Sequence, residues 1–290
     1  MLWLLFSLLS ALSESLKDTF GKLSSEKSDE YTAALSLHLF SLIFIVPMLI
    51  YSGIPKITTS FWIGSAAFLI ITPVWTILYM KALRMSELSK IIPLMAFNPL
   101  FTALLAIVFG QSIPSLTGWL GIILIVVGIY VINVTSQMSR RDFFLPIKNI
   151  LSDKGALAML VVALSWSFGA HFSKMRVDGS SPVFSTFSGA IIGIVTTYFL
   201  AYVRKKPVHP KVIFQHKWKL MPIGVFYFLA TVLSSFALQF GSATYVFATK
   251  RSSIVASLIS GKFVFQEQMN WFKVVGAGLI MGGIVMLAVG

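Results

Sequence analysis

The sequence predicts an all-α integral membrane protein whose ten transmembrane helices form two inverted repeats of five helices each. Three observations support this prediction: the amino-acid composition, the spacing of the apolar stretches and an internal repeat. Hydrophobic residues make up 57% of the 290 residues, charged residues only 11%, and the mean hydropathy is +0.86. Soluble domains are about one quarter charged, so this composition excludes an ordinary soluble protein.

Ten apolar stretches are each long enough to cross a membrane, because a helix of about 20 apolar residues spans the hydrocarbon core. They cover residues 2–23, 31–51, 61–83, 86–109, 115–134, 155–175, 182–203, 220–240, 242–265 and 271–289. Most connections between them are short, and the two longer ones, 135–154 and 204–219, are basic. No connection is long enough for an ATPase or a soluble catalytic domain.

The internal repeat divides the chain into residues 1–137 and 155–290, joined by a basic loop at 138–154. ALSESLKDTFGKL at 11–23 matches ALSWSFGAHFSKM at 163–175, and GIILIVVG at 121–128 matches GAGLIMGG at 276–283. Between these segments, FGQ at 109–111 corresponds to FQE at 265–267. Five is an odd number of helices, so the second repeat enters the membrane from the opposite side. Inverted repeats are typical of transporters that work by alternating access.

The charge distribution favours membrane topology over nucleic-acid binding, although the net charge is +13. Most lysines and arginines lie in the short segments between apolar stretches, which is the pattern that sets orientation. Counted by side, they place both termini outside the cytoplasm. The first apolar run lacks a basic segment before it, so we interpret it as a retained helix rather than a signal peptide.

The order of several short motifs resembles the EamA-type family of the drug/metabolite transporter superfamily. The motifs include Asp18 and Lys22 in the first span, YMKAL at 79–83, Asn98-Pro99, KRSS at 250–253 and the glycine-spaced last span. The resemblance implies two EamA repeats and the secondary transport or export of small solutes. Family members usually have cytoplasmic termini, which conflicts with the charge count. Gln111 and His171 depart from the residue types common in the family.

Lys250 and Arg251 are the strongest candidates for substrate binding. They lie about nine residues into the ninth span, where a charge costs several kcal/mol unless it is paired or hydrated. No acidic residue lies within one helical turn of them in the sequence, so an anionic substrate would supply the counter-charge, and arginine binds phosphate or carboxylate through two hydrogen bonds. The alternative is a structural ion pair with Glu14 or Glu87.

The Lys250–Arg251 pair also resembles the pair in the ninth helix of the plastidic sugar-phosphate translocators, which belong to the same superfamily. In those proteins a further lysine lies in the fourth helix, and Lys90 is the nearest candidate here. This resemblance implies a phosphorylated or carboxylated substrate.

Other candidate residues are uncharged and lie in or beside the apolar stretches. Asn98 precedes Pro99 in the fourth span, where proline removes backbone donors and exposes helix carbonyls. Tyr79, Gln239 and Tyr245 are candidates for polar contacts along the substrate path. Aromatic residues are equally typical of membrane interfaces. The glycine-spaced fifth and tenth spans are expected to pack closely against neighbours rather than bind a ligand.

Three charged residues are candidates for coupling or gating. Glu14 could bind a proton, as the first-helix glutamate of small multidrug transporters in the superfamily does. Its alternative is an internal pair with Lys17, since residues three apart share a helix face. Lys22 and Lys174 occupy matching repeat positions and suit interfacial anchoring or gating by alternating ion pairs.

The sequence gives little support to an enzyme. The chain has no cysteine, and His38, His171, His209 and His216 lack metal-ligand spacing. We therefore expect no catalytic residues, metal or cofactor. The expected partners are a small-molecule substrate and membrane lipid, without nucleic acid, for a monomer in the cytoplasmic (inner) membrane.

Four transport or membrane functions remain open from the sequence. The first is a transporter of an anionic metabolite, phosphorylated or carboxylated. The others are an exporter of amino acids or other neutral or zwitterionic solutes, a proton-coupled exporter of cationic drugs, and a lipid-headgroup flippase or scaffold.

Overall fold

A computed structural model describes residues 1–24, 30–85, 92–111, 113–133, 153–206, 210–266 and 268–289. Throughout these residues the regular structure is helical, and no strand occurs. The chain forms two compact units. Unit 1 combines Met1–Leu69 with Phe172–Gly241, and unit 2 combines Ile70–His171 with Ser242–Gly290. Each unit therefore draws on both halves of the sequence.

The helices follow one another along the chain. They are α1 (Leu2–Ser24), α2 (Glu30–Ser52), α3 (Thr59–Met85), a 3₁₀ helix (Ile92–Phe97), α4 (Asn98–Val108), α5 (Leu116–Asn133), α6 (Lys154–Asp178), α7 (Pro182–Val203), α8 (Pro210–Gln215), α9 (Lys217–Phe240), α10 (Ala243–Lys250), α11 (Ser252–Val264) and α12 (Trp271–Val289). Two of them, α3 and α6, pass from one unit into the other.

Short polar side chains set where several helices begin. The Asp153 carboxylate accepts hydrogen bonds from the backbone amides of Gly155 (2.8 Å) and Ala156 (3.1 Å) at the start of α6. Ser181 caps α7 through the amide of Phe184 at 3.2 Å, directly before a proline at the first helical position. Such residues satisfy amides that have no partner within the helix, so the local sequence explains these boundaries.

Among the described residues, five helical segments are long and apolar enough to cross a membrane, and the protein is a multi-pass membrane protein. They are Ala34–Ser52 within α2, and the whole of α6, α7, α9 and α12. Shorter apolar segments occupy Thr59–Val74, Leu94–Val108 and Leu116–Ile132. Helix α1 is 23 residues long, but Glu14, Lys17, Asp18 and Lys22 make its second half polar.

Two of the predicted spans are not continuous α-helices. The predicted span 86–109 contains, in its described part, the 3₁₀ helix followed by α4. The predicted span 242–265 is divided at Arg251 into α10 and α11. Apolar length alone does not reveal such breaks, because 3₁₀ turns can carry the same side chains as an α-helix.

The second basic connection, predicted as a loop at 204–219, contains helical structure. Helix α8 occupies Pro210–Gln215, and α9 begins at Lys217, three residues before the predicted start at 220. Pro210 is the first residue of α8, which is the position where a missing amide hydrogen is not needed.

Aromatic stacking joins the principal helices of unit 1. Helix α1 packs along α9, and α2 packs against both α9 and α7. The Phe6 ring stacks on Phe236 at 5.7 Å, and Phe20 stacks on Phe226 at 5.4 Å between centroids. Ser10 also donates to the Ala230 carbonyl at 2.6 Å, so α1 and α9 are held by ring contacts and by a buried hydrogen bond.

Glycines join the principal helices of unit 2. A Cβ atom at Gly121 would lie 2.6 Å from the Gly283 carbonyl oxygen, and one at Gly128 would lie 2.7 Å from that of Gly276. Since side chains larger than hydrogen would collide there, glycine allows the backbones of α5 and α12 to approach closely. The prediction that these two glycine-spaced segments pack closely is confirmed.

Left-handed backbone occurs at matching positions of the two repeats. Gly53 (φ 73°) follows α2, and Lys205 (φ 52°) follows α7; the two residues align when residues 11–23 are aligned with 163–175. Gly110 (φ 61°) follows α4, and Gln266 (φ 55°) follows α11, at the centres of the matched FGQ and FQE segments. In the second repeat a side-chain-bearing residue adopts a conformation that favours glycine.

Candidate functional site

The ninth predicted span changes its backbone geometry at Arg251. The Arg251 amide donates to the Ala248 carbonyl at 3.1 Å, and the Ile254 amide donates to the Arg251 carbonyl at 3.1 Å. Both bonds join residues three apart, so a tight 3₁₀-type turn separates α10 from α11. Lys250 is the last residue of α10, and both cations therefore lie at a helix break.

Asn98 contacts Arg251 from the first position of α4. The amide oxygen of Asn98 accepts a hydrogen bond from Nη2 of Arg251. Asn98 is only 2% exposed, whereas Arg251 is partly exposed. The junction between the 3₁₀ helix and α4 thus meets the break between α10 and α11 through a neutral amide.

The other polar atoms of Asn98 bind helix α6. Its Nδ2 donates to the Ala163 carbonyl at 3.0 Å and to Oγ of Ser167 at 2.9 Å. The Ser167 hydroxyl lies 3.0 Å from the Asn98 carbonyl oxygen and 2.9 Å from that of Ala163. The amide of Asn98 is fixed on both sides, so the orientation of its oxygen towards Arg251 is determined by α6.

A second polar contact in unit 2 centres on His171, which is fully buried. Its Nε2 lies 2.8 Å from the Thr102 carbonyl oxygen, and its Nδ1 lies 3.1 Å from Oε1 of Gln111. The imidazole also stacks on Phe109 at 4.7 Å. Thr102 donates its hydroxyl to the Asn98 carbonyl at 2.9 Å, which connects this histidine to the Asn98 contacts.

Tyr245 lies in the first turn of α10, and Lys250 is the last residue of that helix. Lys250 is partly exposed, and its Nζ lies 5.2 Å from the centre of the Phe247 ring, a cation–π contact. The Tyr245 hydroxyl accepts a hydrogen bond from the Ser115 amide at 3.2 Å. It also occupies the space beside Gly118, so Tyr245 fastens α10 to the start of α5.

The coupling and gating candidates of unit 1 lie near acidic or basic partners. The Lys17 ammonium is 3.9 Å from the Glu14 carboxylate and 3.1 Å from that of Asp18. Lys174 donates to Asp178 at 2.6 Å and to the Leu238 carbonyl at 2.7 Å. The pairing of Glu14 with Lys17 is the alternative that the helical spacing predicted.

The remaining candidates contribute less to this description. Gln239 lies in the last turn of α9 with an exposed side chain. Lys90 and Glu87 lie outside the described residues, as do the side chains of Tyr79 and Lys22, whose backbones belong to α3 and α1. Among the described residues, no group of three or more His, Cys, Asp or Glu side chains is arranged to hold a metal ion.

The residues that hold Asn98 in place could not be identified from the sequence. Ser167 and Thr102 are small hydroxyl residues within apolar stretches, where they ordinarily bond to their own helix. The helical spacing of His171, Ser167 and Ala163, each four residues apart, would have shown that these positions share a face. It does not reveal that α4 lies against that face.

Comparison with known proteins places the chain among transporters. The sequence profile of the EamA-like transporter family matches residues 1–134 and 153–289. A comparison with curated proteins finds no match. Among solved structures, one described only as a crystal structure of a protein covers 97% of this chain and 96% of its own, with a TM-score of 0.66 and 14% identity. At that identity the likeness concerns the fold alone.

The family match covers most of the chain, in two segments that contain all the helices described above. Proteins of this family are membrane transporters of small molecules. This chain belongs to the EamA-like transporter family.

Proposed function

We propose that the protein is a secondary transporter of a small organic anion, carrying either a phosphate or a carboxylate group. It works by alternating access, as a monomer with ten transmembrane helices in the cytoplasmic (inner) membrane. Lys250 and Arg251 neutralise the substrate, assisted by Lys90. The observation that carries this proposal is the partly exposed Arg251, held at a helix break by the neutral amide of Asn98.

The contact with Asn98 orients the guanidinium without neutralising it. An amide oxygen accepts a hydrogen bond but carries no net charge, so this contact fixes the direction of the guanidinium and leaves its charge unchanged. A guanidinium presents five N–H donors in a planar fork, of which the Asn98 amide occupies Nη2. A phosphate or carboxylate is the class of ligand that this geometry suits.

The backbone break supports a binding site at this position. The turn at Arg251 replaces the regular i to i−4 pattern by bonds between residues three apart, and the matching span has a 3₁₀ helix before Asn98. Discontinuous helices at membrane depth are typical of substrate sites in transporters built from inverted repeats. Two such breaks that meet through Asn98 and Arg251 favour this site over the other candidates.

The repeat-matched turns support the inverted arrangement. Left-handed residues recur at Gly53 and Lys205 and again at Gly110 and Gln266, although the residue types differ. A backbone conformation that is kept without glycine indicates a repeated structure rather than a chance similarity of apolar sequence. Two inverted repeats provide the pseudo-symmetry that alternating access uses.

The driving force is the gradient of the substrate, exchange for a second anion, or protons. Glu14 is the candidate for proton coupling, but Lys17 lies 3.9 Å from it, which suits a permanent ion pair. We therefore expect Glu14→Gln to preserve transport. Abolished transport in that variant would favour the proton-coupled exporter of cationic drugs.

The test is the thermal stability of the detergent-purified protein with phosphorylated sugars, carboxylates, amino acids and cationic dyes. A ligand that binds only the folded state stabilises it by about 3 kcal/mol at one hundred times its Kd. We expect an anion to raise the melting temperature of the wild type and to have little effect on Lys250→Ala or Arg251→Ala. The active compound then identifies the substrate class.

Lys262→Gln is the matched control, because it removes one positive charge from an exposed side chain of α11 in the same unit. It should respond to the anion like the wild type. Stabilisation of all the variants alike by amino acids or dyes would contradict the proposed role of the Lys250–Arg251 pair.

A further inference from the structure

Unit 1 buries an arginine that the transport proposal does not use. Arg176 lies in the last turn of α6 and is only 4% exposed. Its Nη2 donates to the Ser185 carbonyl and, at 2.8 Å, to the hydroxyl of Ser188. Both acceptors belong to the first turns of α7 and are neutral, so these contacts orient the guanidinium but do not balance its charge.

The described residues place no carboxylate within ion-pair distance of Arg176. Two other cations of unit 1 have acidic partners: Lys17 is 3.1 Å from Asp18, and Lys174 is 2.6 Å from Asp178. Within the same part of the chain, Nε of Arg176 is buried and has no hydrogen-bond acceptor. A buried cation with an unused donor is costly unless an anion or a polar group satisfies it.

Two glycines and an aromatic ring surround the side chain of Arg176. A Cβ atom at Gly189 of α7 would lie 3.1 Å from Nη2, and one at Gly64 of α3 would lie 3.1 Å from Cγ. The Phe68 ring lies 5.1 Å from the guanidinium carbon. The ring contributes a weak cation–π contact, while the glycines allow the backbones of α3 and α7 to lie directly against the arginine side chain.

Unit 1 buries a second nitrogen atom without a partner among the described residues, on His38 of α2. The imidazole of His38 meets the Tyr227 ring edge-on at 5.1 Å between centroids. Its Nδ1 is buried and has no hydrogen-bond partner among the described residues. Two separate buried nitrogen atoms, on α6 and α2, are thus unsatisfied in the same unit.

We propose that Arg176 is the centre of a second anion-binding site, located in unit 1, which binds the phosphate or carboxylate group of a small molecule. The guanidinium holds the anion through Nε, the donor that has no acceptor among the described residues. The Ser185 carbonyl and Ser188 hydroxyl position the guanidinium from the opposite helix. This site shares no residue with the Lys250–Arg251 site and does not depend on it.

The chemistry of the site favours an anion over a cation or an apolar solute. An oxyanion would accept the unused Nε–H and balance the charge that Ser185 and Ser188 leave uncompensated, and charge-assisted hydrogen bonds of this kind are the strong ones.

The experiment measures the binding of inorganic phosphate and of acetate to the purified full-length protein by thermal shift at constant ionic strength. The background is the Lys250→Ala/Arg251→Ala double variant, which removes the other site. We expect phosphate or acetate still to stabilise this background. Adding Arg176→Gln should weaken the apparent affinity about tenfold or more, since one charged hydrogen-bond donor is lost.

The stability without ligand distinguishes a binding residue from a structural one. Arg176→Met keeps the volume of the side chain but removes a charge that lacks a buried counter-ion. We expect its melting temperature without anion to equal or exceed that of the background, because apolar replacements of buried charges are often neutral or stabilising. A lower melting temperature without ligand, together with an unchanged response to phosphate in Arg176→Gln, would show that Arg176 only fastens α6 to α7.

Two further variants keep the test informative if Arg176→Gln folds poorly. Gly189→Ala retains the arginine but adds a methyl group 3.1 Å from Nη2, and it should also weaken phosphate binding. Lys211→Gln removes one charge from an exposed side chain of α8 in the same unit and should leave binding unchanged. Equal weakening by Lys211→Gln and Arg176→Gln would refute a specific site.

The source of the anion is resolved by a second arm with phosphatidylglycerol added to the detergent. Stabilisation by phosphatidylglycerol but not by inorganic phosphate or acetate would overturn the proposal of a small-molecule site.

The transport proposal and the Arg176 proposal can be refuted independently of each other. If Arg251→Ala, made in the wild type, abolishes the whole response to anions and Arg176→Gln abolishes none of it, the transport proposal is retained and the Arg176 proposal is refuted. The reverse result refutes the role of Arg251 in the transport proposal and retains the Arg176 site.

Discussion

Each unit holds one arginine through neutral hydrogen-bond acceptors, but the backbones that carry the two arginines differ. In unit 2, Arg251 lies at a break between two short helices, is partly exposed and contacts the amide oxygen of Asn98. In unit 1, Arg176 lies in a continuous helix, is 4% exposed and contacts Ser185 and Ser188. A helix break exposes an arginine, whereas glycines on neighbouring helices accommodate a buried one.

The two units also use different means to hold their longest helix pairs. In unit 1, stacked phenylalanines separate the backbones of α1 and α9. In unit 2, glycines bring the backbones of α5 and α12 into direct contact. Ring contacts tolerate small changes of spacing better than backbone contacts, because an interface without side chains cannot adjust by a change of rotamer. We therefore expect unit 2 to be the more sensitive of the two to single-atom changes.

The largest effect should follow from Asn98→Ala, because this residue joins α4, α6 and Arg251. The substitution removes two donated hydrogen bonds and the acceptor for Nη2 of Arg251. We expect the free energy of unfolding to fall by about 2 kcal/mol or more, since buried polar groups lose their partners. Denaturant titration of the purified protein measures this change.

Combining Asn98→Ala with Arg251→Gln tests whether the two residues act together. The effects on stability should be smaller together than the sum of the single variants, with a coupling of about 1 kcal/mol. Ser188→Ala, which removes one acceptor of Arg176 in unit 1, is the matched comparison and should add independently to Arg251→Gln. Additive behaviour of both pairs would mean that the Asn98 contact does not hold Arg251.

A smaller effect is expected from adding a methyl group between α5 and α12. Gly128→Ala places its Cβ 2.7 Å from the Gly276 carbonyl oxygen, so the helices must separate. The expected loss is about 1–3 kcal/mol, the range for overpacked sites. Gly278→Ala on the same α12 helix has no atom within 4 Å of its Cβ and should change stability little. Equal changes in the two variants would contradict the close packing at Gly128, because alanine by itself favours a helix over glycine at both positions.

The smallest effects concern the left-handed turns that follow α2 and α7. Lys205 adopts φ 52° although it carries a side chain, while its repeat-matched partner Gly53 adopts φ 73°. Lys205→Gly should raise the free energy of unfolding by about 1 kcal/mol or less, because the left-handed region costs about that much for other residues. Gly53→Ala should lower it by a similar amount, with no steric contact involved. Changes of the same sign would contradict the matching of the two turns.

The sequence predicts the helical membrane fold and the family, because both depend on composition and on ordered motifs. It also predicts the contact of Glu14 with Lys17 and the close packing of the glycine-spaced segments, since both follow from helical periodicity. The exact bounds of the fourth and ninth spans were not predicted. Pro99 predicts a disturbed helix beside Asn98 in the fourth span, whereas the break at Arg251, whose side chain donates to Asn98, has no such local signal.

The candidate site was predicted in part. Lys250, Arg251 and Asn98 stand out in the sequence because charged and amide side chains are rare inside apolar stretches. The roles of Ser167 and Thr102 could not be read in advance, since a hydroxyl residue in a membrane helix usually bonds within its own helix. Arg176 was not among the predicted site residues, and its burial against Gly64 of α3 and Gly189 of α7 depends on how three helices pack.

The most direct test of the central claim measures the exchange of an anion in proteoliposomes. The anion is the compound that stabilises the purified wild type most strongly, and the proteins are wild type, Arg251→Gln and the exposed control Lys262→Gln. We predict exchange by wild type and by Lys262→Gln, with a loss of about 10-fold or more in Arg251→Gln at equal amounts of reconstituted protein. Undiminished exchange in Arg251→Gln would contradict the assignment of substrate binding to the helix break in unit 2.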